Sequence, residues 1–157
     1  MNKSSVRDAI VSELRAELAR QTAAAQLARD EAISEESRPE NKYDTHSQEA
    51  AYLAEGQARL AAEIAGNISL YSTLPLPDFS AETPIAVGAL VKVELRSRPT
   101  WYFLGPRAGG LEVTVDDTSI LVLTPQSPLG RQLLGKRVGD SVPAPGGTAK
   151  LTITAVS

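Results

Sequence analysis

The first 38 residues hold neither glycine nor proline, and their apolar positions recur every three or four residues. No other feature narrows the possible folds as much. Val11, Leu14, Leu18, Gln21, Ala25, Ala28 and Ala32 keep that spacing, which holds one side of a helix against a partner helix. Val6 and Ile10 widen the stripe, and Ala23, Ala24 and Ala25 are strong helix formers. A second run repeats the pattern with Ala50, Leu53, Gln57, Leu60, Ile64 and Asn67. Gly56 and Gly66 weaken this helix without ending it. Thr45 or Ser47 can cap it, with Gln48 or Glu49 in its first turn. Between the runs, Pro39 is costly inside a helix and pushes Arg38 toward extended backbone. Neither stripe is wide enough to fold alone, so the two runs predict an antiparallel helical hairpin over 1–73. Its arms of about 25–30 residues would reach roughly 40–45 Å, with an acidic tip near 34–44.

The helical pattern ends at Ser72. Pro75, Pro77 and Pro84 predict an extended, semi-rigid linker over 74–84. Beyond it the period becomes two. Val91–Leu95, Leu111–Val115 and Leu151–Ala155 alternate, and Thr100–Leu104 and Ile120–Leu123 are apolar enough to be buried strands. Arg107–Gly110 and Ala144–Gly147 read as hairpin turns. Ser127–Gly135 reads as a short helix that starts at Pro128 and is closed by Gly135. Residues 85–157 therefore predict a small antiparallel sheet with one short helix, and the whole chain is α+β.

Composition removes several chemistries. Without cysteine there is no disulfide or thiolate site, and a single histidine, His46, rules out a histidine-rich metal centre. No apolar run reaches the roughly 18–20 residues of a membrane span, and the charged N-terminus lacks a signal-peptide core. The expected location is the cytoplasm, away from membranes. Residues 1–78 carry 13 acids against 8 Lys/Arg, and residues 79–157 carry 6 against 8. Neither half has the basic surplus of an autonomous DNA-binding protein.

Asp30, Glu31, Glu35, Glu36, Glu40 and Asp44 crowd the hairpin tip, opposed by Arg29, Arg38 and Lys42. One reading is a solvated helix end. The other is a set of carboxylates that completes a Mg²⁺ site supplied by a partner, since Mg²⁺ takes oxygen ligands and shares them with phosphates. His46 lacks a nearby nucleophile, and Trp101–Phe103 reads as core. Ser127 reads as an N-cap, and Ala144–Gly147 lacks the features of a phosphate loop.

The run Ser127-Pro-Leu-Gly-Arg-Gln-Leu-Leu-Gly-Lys-Arg-Val-Gly-Asp140, with Pro145-Gly-Gly147 and a last strand, resembles the C-terminal domain of the Gre family of bacterial transcript cleavage factors. Glu40-Asn41-Lys42-Tyr43 is similar to the Glu-Asn-x-x-Tyr run at that family's hairpin tip, one residue shorter. The order of hairpin, linker and small β domain matches too.

The resemblance implies an antiparallel coiled coil followed by an FKBP-like domain. It also implies a partner, bacterial RNA polymerase, with the C-terminal domain on the rim of the secondary channel and the coiled coil inside it. There, tip acids would help retain a Mg²⁺ of the polymerase active centre while the polymerase cleaves backtracked RNA. The factor would hold no metal stably alone, would meet nascent RNA only indirectly, and would not itself be an enzyme.

By this resemblance Glu36 and Glu40 are the tip carboxylates. Glu35, Asn41, Tyr43 and Asp44 surround them, and Ser127, Pro128 and Leu129 form the polymerase-docking segment. The family's Asp stands three residues before the Glu; here that position is Ser37, and Glu36 is one residue out of step. The alternative function is therefore a channel-occupying regulator that retunes transcription without cleavage. A generic coiled-coil scaffold is a third reading. A prolyl isomerase is disfavoured, because fold alone carries no activity and seven aromatics do not suggest the needed pocket.

Overall fold

The computed structural model describes residues 1–36 and 46–157, apart from the side chains of residues 32, 35, 36, 46, 47 and 50. Two helices come first, α1 (Lys3–Glu36) and α2 (His46–Ser72). A six-stranded sheet follows, made of β1 (Leu90–Leu95), β2 (Arg98–Leu104), β3 (Glu112–Val115), β4 (Thr118–Leu123), β5 (Ser141–Pro143) and β6 (Lys150–Val156), with α3 (Pro128–Leu133) between β4 and β5. The chain forms two compact units. The helical unit is Ser12–Ser69, and the sheet unit joins Met1–Val11 to Leu70–Ser157. This division differs from the 1–73, 74–84 and 85–157 segments expected from sequence.

In the helical unit, α1 buries the expected stripe. Leu14 is 2% exposed, Ala25 and Ala28 are buried, and Leu18 and Gln21 are half-buried. On α2 the expected stripe is met in part: Ile64 is buried and Gln57 and Asn67 are half-buried. Ala54 and Ile64 are buried, whereas Leu53 and Leu60 are 59% and 49% exposed. Two stripes of the same period coexist on this helix, displaced by about one residue. Tyr71, near the end of the same helix, is fully buried in the sheet unit. Counting back from it by threes and fours reaches Ile68, Ile64, Ala61, Gln57 and Ala54, and small residues at 54 and 61 allow close helix approach. Gln57 is the cost of that choice: its Oε1 is buried without a hydrogen-bond partner among the described residues. Asn2 caps α1, its side-chain oxygen accepting the Ser4 N–H at 2.9 Å. For α2, Ser47 lies inside the helix and Thr45 lies outside the described residues.

The sheet has the order β3-β4-β2-β1-β6-β5. Every pairing is antiparallel except β2 with β4, which is parallel. The sheet is thus mixed, and Arg107–Gly110 is not a hairpin turn. It starts a crossover that places β3 beyond β4. Ala144–Gly147 does close a hairpin, with the Ala144 N–H donating to the Ala149 carbonyl at 2.8 Å.

Register assigns the two sheet faces, because directly paired residues share a side. One face carries Val91, Val93, Leu104, Leu123, Val142, Leu151 and Ile153 and packs with Ile85, Leu129 and Leu133. The other carries Leu90, Phe103, Ile120 and Val122, all fully buried. Tyr71 reaches that second face, its ring centroid 6.4 Å from that of Phe103.

Residues 74–84 lie docked along the sheet unit. The Lys3 ammonium donates to the Pro77 carbonyl and sits 4.8 Å from the Phe79 ring centroid. The Arg137 guanidinium donates to the Glu82 carbonyl at 2.8 Å. A side chain at Gly88 (φ +94°) would meet the Pro75 carbonyl at 2.9 Å, so the absence of one there lets the segment close on the sheet.

Candidate functional site

The segment after β4 is organised by Ser127. Its backbone is extended (φ −68°, ψ 151°), and its hydroxyl accepts the Gly130 N–H, as an N-cap does. The same hydroxyl donates to the Thr124 carbonyl at 2.8 Å, and the Ser127 N–H reaches that carbonyl at 3.1 Å. Pro128 opens the helix, where a missing N–H costs nothing. Gly130 is required by space, since a side chain there would stand 1.9 Å from the Thr124 carbonyl oxygen. Gly135 (φ +77°) leaves the helix, and its N–H donates to the Ile85 carbonyl at 2.9 Å while the Ile85 N–H donates to Lys136 at 2.8 Å. The corner is thereby tied to the end of the proline-rich segment.

This geometry separates the three docking residues expected from sequence. Leu129 is buried in the core with Leu133. Both hydrogen-bonding roles of the Ser127 hydroxyl are taken within the chain. Only Pro128 presents an exposed side chain.

A neighbouring feature was not anticipated. An open groove of about 470 Å³ runs between α3 and β5, lined by Arg131, Gln132, Leu134, Lys136, Val142 and Pro143 among others. Its α3 side follows from simple periodicity: with Leu129 and Leu133 turned inward, Arg131 and Gln132 face solvent. That signal is readable in the sequence once α3 is placed.

The tip residues are not brought into a described site. Glu35 and Glu36 lie in the last turn of α1. Glu40, Asn41, Tyr43 and Asp44 lie outside the described residues, as do the side chains of Glu35 and Glu36. Hence the fit of these carboxylates to Mg²⁺ rests on residue chemistry alone: carboxylate oxygens are the ligands that ion prefers. Among the described residues no group of three or more His, Cys, Asp or Glu could hold a metal ion, and no helix is long and apolar enough to cross a membrane. Of the aromatic run, Phe103 is fully buried and Trp101 half-buried, with the Lys92 ammonium 5.9 Å from the Trp101 ring centroid.

Residues 81–157 match the family described as transcription elongation factor GreA/GreB, C-terminal domain. Solved structures with similarity include GreA factor homolog 1 (Gfh1) of Thermus thermophilus, 19% identical over 94% of each chain with a TM-score of 0.38. Gfh1 of Thermus aquaticus is 24% identical over 95% of this chain and 94% of its own, with a TM-score of 0.37. A GreA/GreB factor from Nitrosomonas europaea is 22% identical over 65% of this chain and 79% of its own, also with a TM-score of 0.37. A search of curated proteins returned no match. The match over 81–157, and not these whole-chain superpositions, carries the assignment: residues 81–157 form a C-terminal domain of the GreA/GreB transcription elongation factor type.

Proposed function

We propose that this factor binds bacterial RNA polymerase and inserts its helical hairpin into the secondary channel. The observation that carries the reading is the GreA/GreB C-terminal domain over residues 81–157. The exposed Pro128 corner is the part of that domain offered to the channel rim. The hairpin suits the role: α1 is a continuous helix of 34 residues, about 50 Å long at about 1.5 Å per residue, with Glu35 and Glu36 in its last turn.

At the tip, Glu36 and Glu40 would supply carboxylate oxygens, with Glu35, Asn41, Tyr43 and Asp44 around them. A Mg²⁺ held there would supply charge neutralisation for phosphate chemistry, and the carboxylates of Glu36 and Glu40 would help hold it. A carboxylate delivered in trans raises the occupancy of that ion. The factor itself is not the enzyme; the hydrolysis belongs to the polymerase.

Ser37, three residues before Glu40, favours a specific form of this reading. With Glu36 one residue out of step, docking is retained and stimulation of cleavage is weakened or lost, because Mg²⁺ tolerates little error in ligand geometry. The protein then acts as a channel-occupying regulator. The deciding assay is RNA cleavage in a stalled, backtracked complex of matched polymerase, with binding scored in the same reactions. Binding without faster cleavage is the expected result. Faster cleavage that falls in a Glu36→Ala/Glu40→Ala variant would establish an active cleavage factor instead. Absence of binding would overturn the functional reading.

A further inference from the structure

The groove between α3 and β5 lies within the sheet unit and is bounded by the last strand of the sheet. Its lining holds two cations, Arg131 and Lys136, and no acid. Both are exposed, and neither side chain forms a hydrogen bond or ion pair among the described residues. The nearest acid in sequence, Asp140, is engaged elsewhere: its Oδ2 accepts the Arg137 N–H at 2.8 Å. Leu134 and Pro143 give the same lining an apolar part.

The strand edge beside these cations is unpaired. The Ala144 N–H donates to the Ala149 carbonyl at 2.8 Å, and the Ile153 N–H to the Asp140 carbonyl at 2.9 Å. An antiparallel ladder bonds at every second residue, so the backbones of Asp140, Val142 and Ala144 face β6. The N–H and carbonyl of Ser141 and the carbonyl of Pro143 therefore point outward, where no strand follows β5.

Charge and hydrogen bonding together select the occupant. Arg131 and Lys136 call for an acidic partner. Nucleic-acid phosphates would suit the cations, but they bring no N–H to the two outward carbonyls. A second copy paired β5 to β5 would set the Arg131 and Lys136 of each copy side by side. An extended polypeptide with carboxylates meets both requirements, since its backbone can pair with the edge while its acids meet the cations.

We propose that this groove and edge bind an extended, acidic segment of the RNA polymerase, added to β5 as a further short strand. The inference rests on the polymerase-binding reading above. Because α3 begins at the exposed Pro128 corner, the segment would sit beside the rim contact. Pro143 has no N–H to offer, so pairing is confined to Ser141 and the Pro143 carbonyl.

The test measures binding of the full-length protein to matched RNA polymerase by fluorescence anisotropy at low and high salt. Melting and sedimentation of the free protein, and amide hydrogen exchange free and bound, accompany it. Arg131→Gln/Lys136→Gln should melt like the parent, bind about tenfold more weakly and lose most of the parent's salt sensitivity. Arg96→Gln/Arg98→Gln, the same change of charge at the β1–β2 turn, should leave binding unchanged. The Ser141 amide should exchange freely in the free protein and be protected in the complex. If the parent does not bind, both the functional reading and this inference fall. If it binds and Arg131→Gln/Lys136→Gln loses no more than Arg96→Gln/Arg98→Gln, this inference alone falls. It also falls if the Ser141 amide exchanges alike in both states, because no strand has then been added. A parent dimer with Ser141 already protected would assign the edge to a second copy and overturn the proposal.

Discussion

The Tyr71 hydroxyl donates to the Arg107 carbonyl at 2.6 Å through the space left by the missing side chain of Gly105, where a Cβ would stand 1.9 Å from the Tyr71 oxygen. Tyr71 is the last buried residue of α2, and within the sheet unit this contact ties it to the loop after β2. Tyr71→Phe should cost about 1 kcal/mol, the typical net worth of one hydrogen bond. Gly105→Ala should cost about 1–3 kcal/mol, since the phenol must leave its seat. Denaturant titration of both variants checks the order; a Gly105→Ala protein as stable as its parent would contradict it.

The same contact gives a pH dependence. Burial pushes the Tyr71 hydroxyl above its ordinary value, with the hydrogen bond to Arg107 opposing, and burial raises Tyr102 as well. A raised folded-state value means that the folded chain holds its proton after the unfolded chain has released it. Stability is therefore intact below about pH 10, the ordinary tyrosine value, and falls as pH rises above it. Melting temperatures measured across the alkaline range should show this fall, shallower in Tyr71→Phe.

Gly130→Ala should disrupt the corner that holds Pro128 outward. The added methyl would strike the Thr124 carbonyl, which already accepts from both the Ser127 hydroxyl and the Ser127 N–H. The expected cost is about 1–3 kcal/mol. Ser127→Ala removes the cap and the hydroxyl's bond to the Thr124 carbonyl without a clash, and should cost about 1 kcal/mol. Chemical denaturation separates the two, and equal costs would argue against steric exclusion at Gly130.

The β1–β2 turn should be improvable. Arg96 and Ser97 sit at φ +50° and +64°, where non-glycine residues are disfavoured. Ser97→Gly should stabilise by about 1 kcal/mol, visible as a higher denaturant midpoint at unchanged slope. The β3–β4 turn provides a contrast: Asp116 and Asp117 adopt similar positive φ, but aspartate tolerates it better.

Gln57→Leu should stabilise the helical unit by about 1 kcal/mol, because it removes a buried oxygen that lacks a partner among the described residues. Thermal melting followed by circular dichroism is the check. A loss of stability would mean that Gln57 sets the register of the hairpin, a role polar residues play in some coiled coils.

These sites show which parts of the molecule local sequence encodes. The α1 stripe was readable because only one set of apolar positions fits a single face. On α2 two sets of the same period overlap at Gln57 and Ile64, and periodicity alone does not choose between them. Strand alternation revealed β1, β3 and β6, but not the parallel pairing of β2 with β4, because Arg107–Gly110 has the composition of a tight turn whether the next strand pairs at once or crosses over. At three residues, β5 is too short to alternate. Prolines announced an extended segment over 74–84; its docking depends on the bare backbone at Gly88. At the candidate site, the capping role of Ser127 was legible from its place before Pro128. The burial of Leu129 required knowing which side of α3 meets the sheet. The tip carboxylates were identified through family resemblance, which carries chemistry without coordinates.

The placement of β6 has a consequence for how the molecule comes into being. This strand lies inside the sheet, between β1 and β5, and hydrogen bonds continue beyond it to join Ser157 and Leu90 in both directions at 2.9 Å. As a ribosome releases the chain, the hairpin arms can form from neighbouring residues, whereas β1 must keep one edge open until β6 emerges. Val6 and Ile10 are buried in the same unit as β6, so residues more than a hundred positions apart complete one core. Each helix can thus form from its own neighbours, whereas the sheet closes only through a strand distant in the chain from the one it joins.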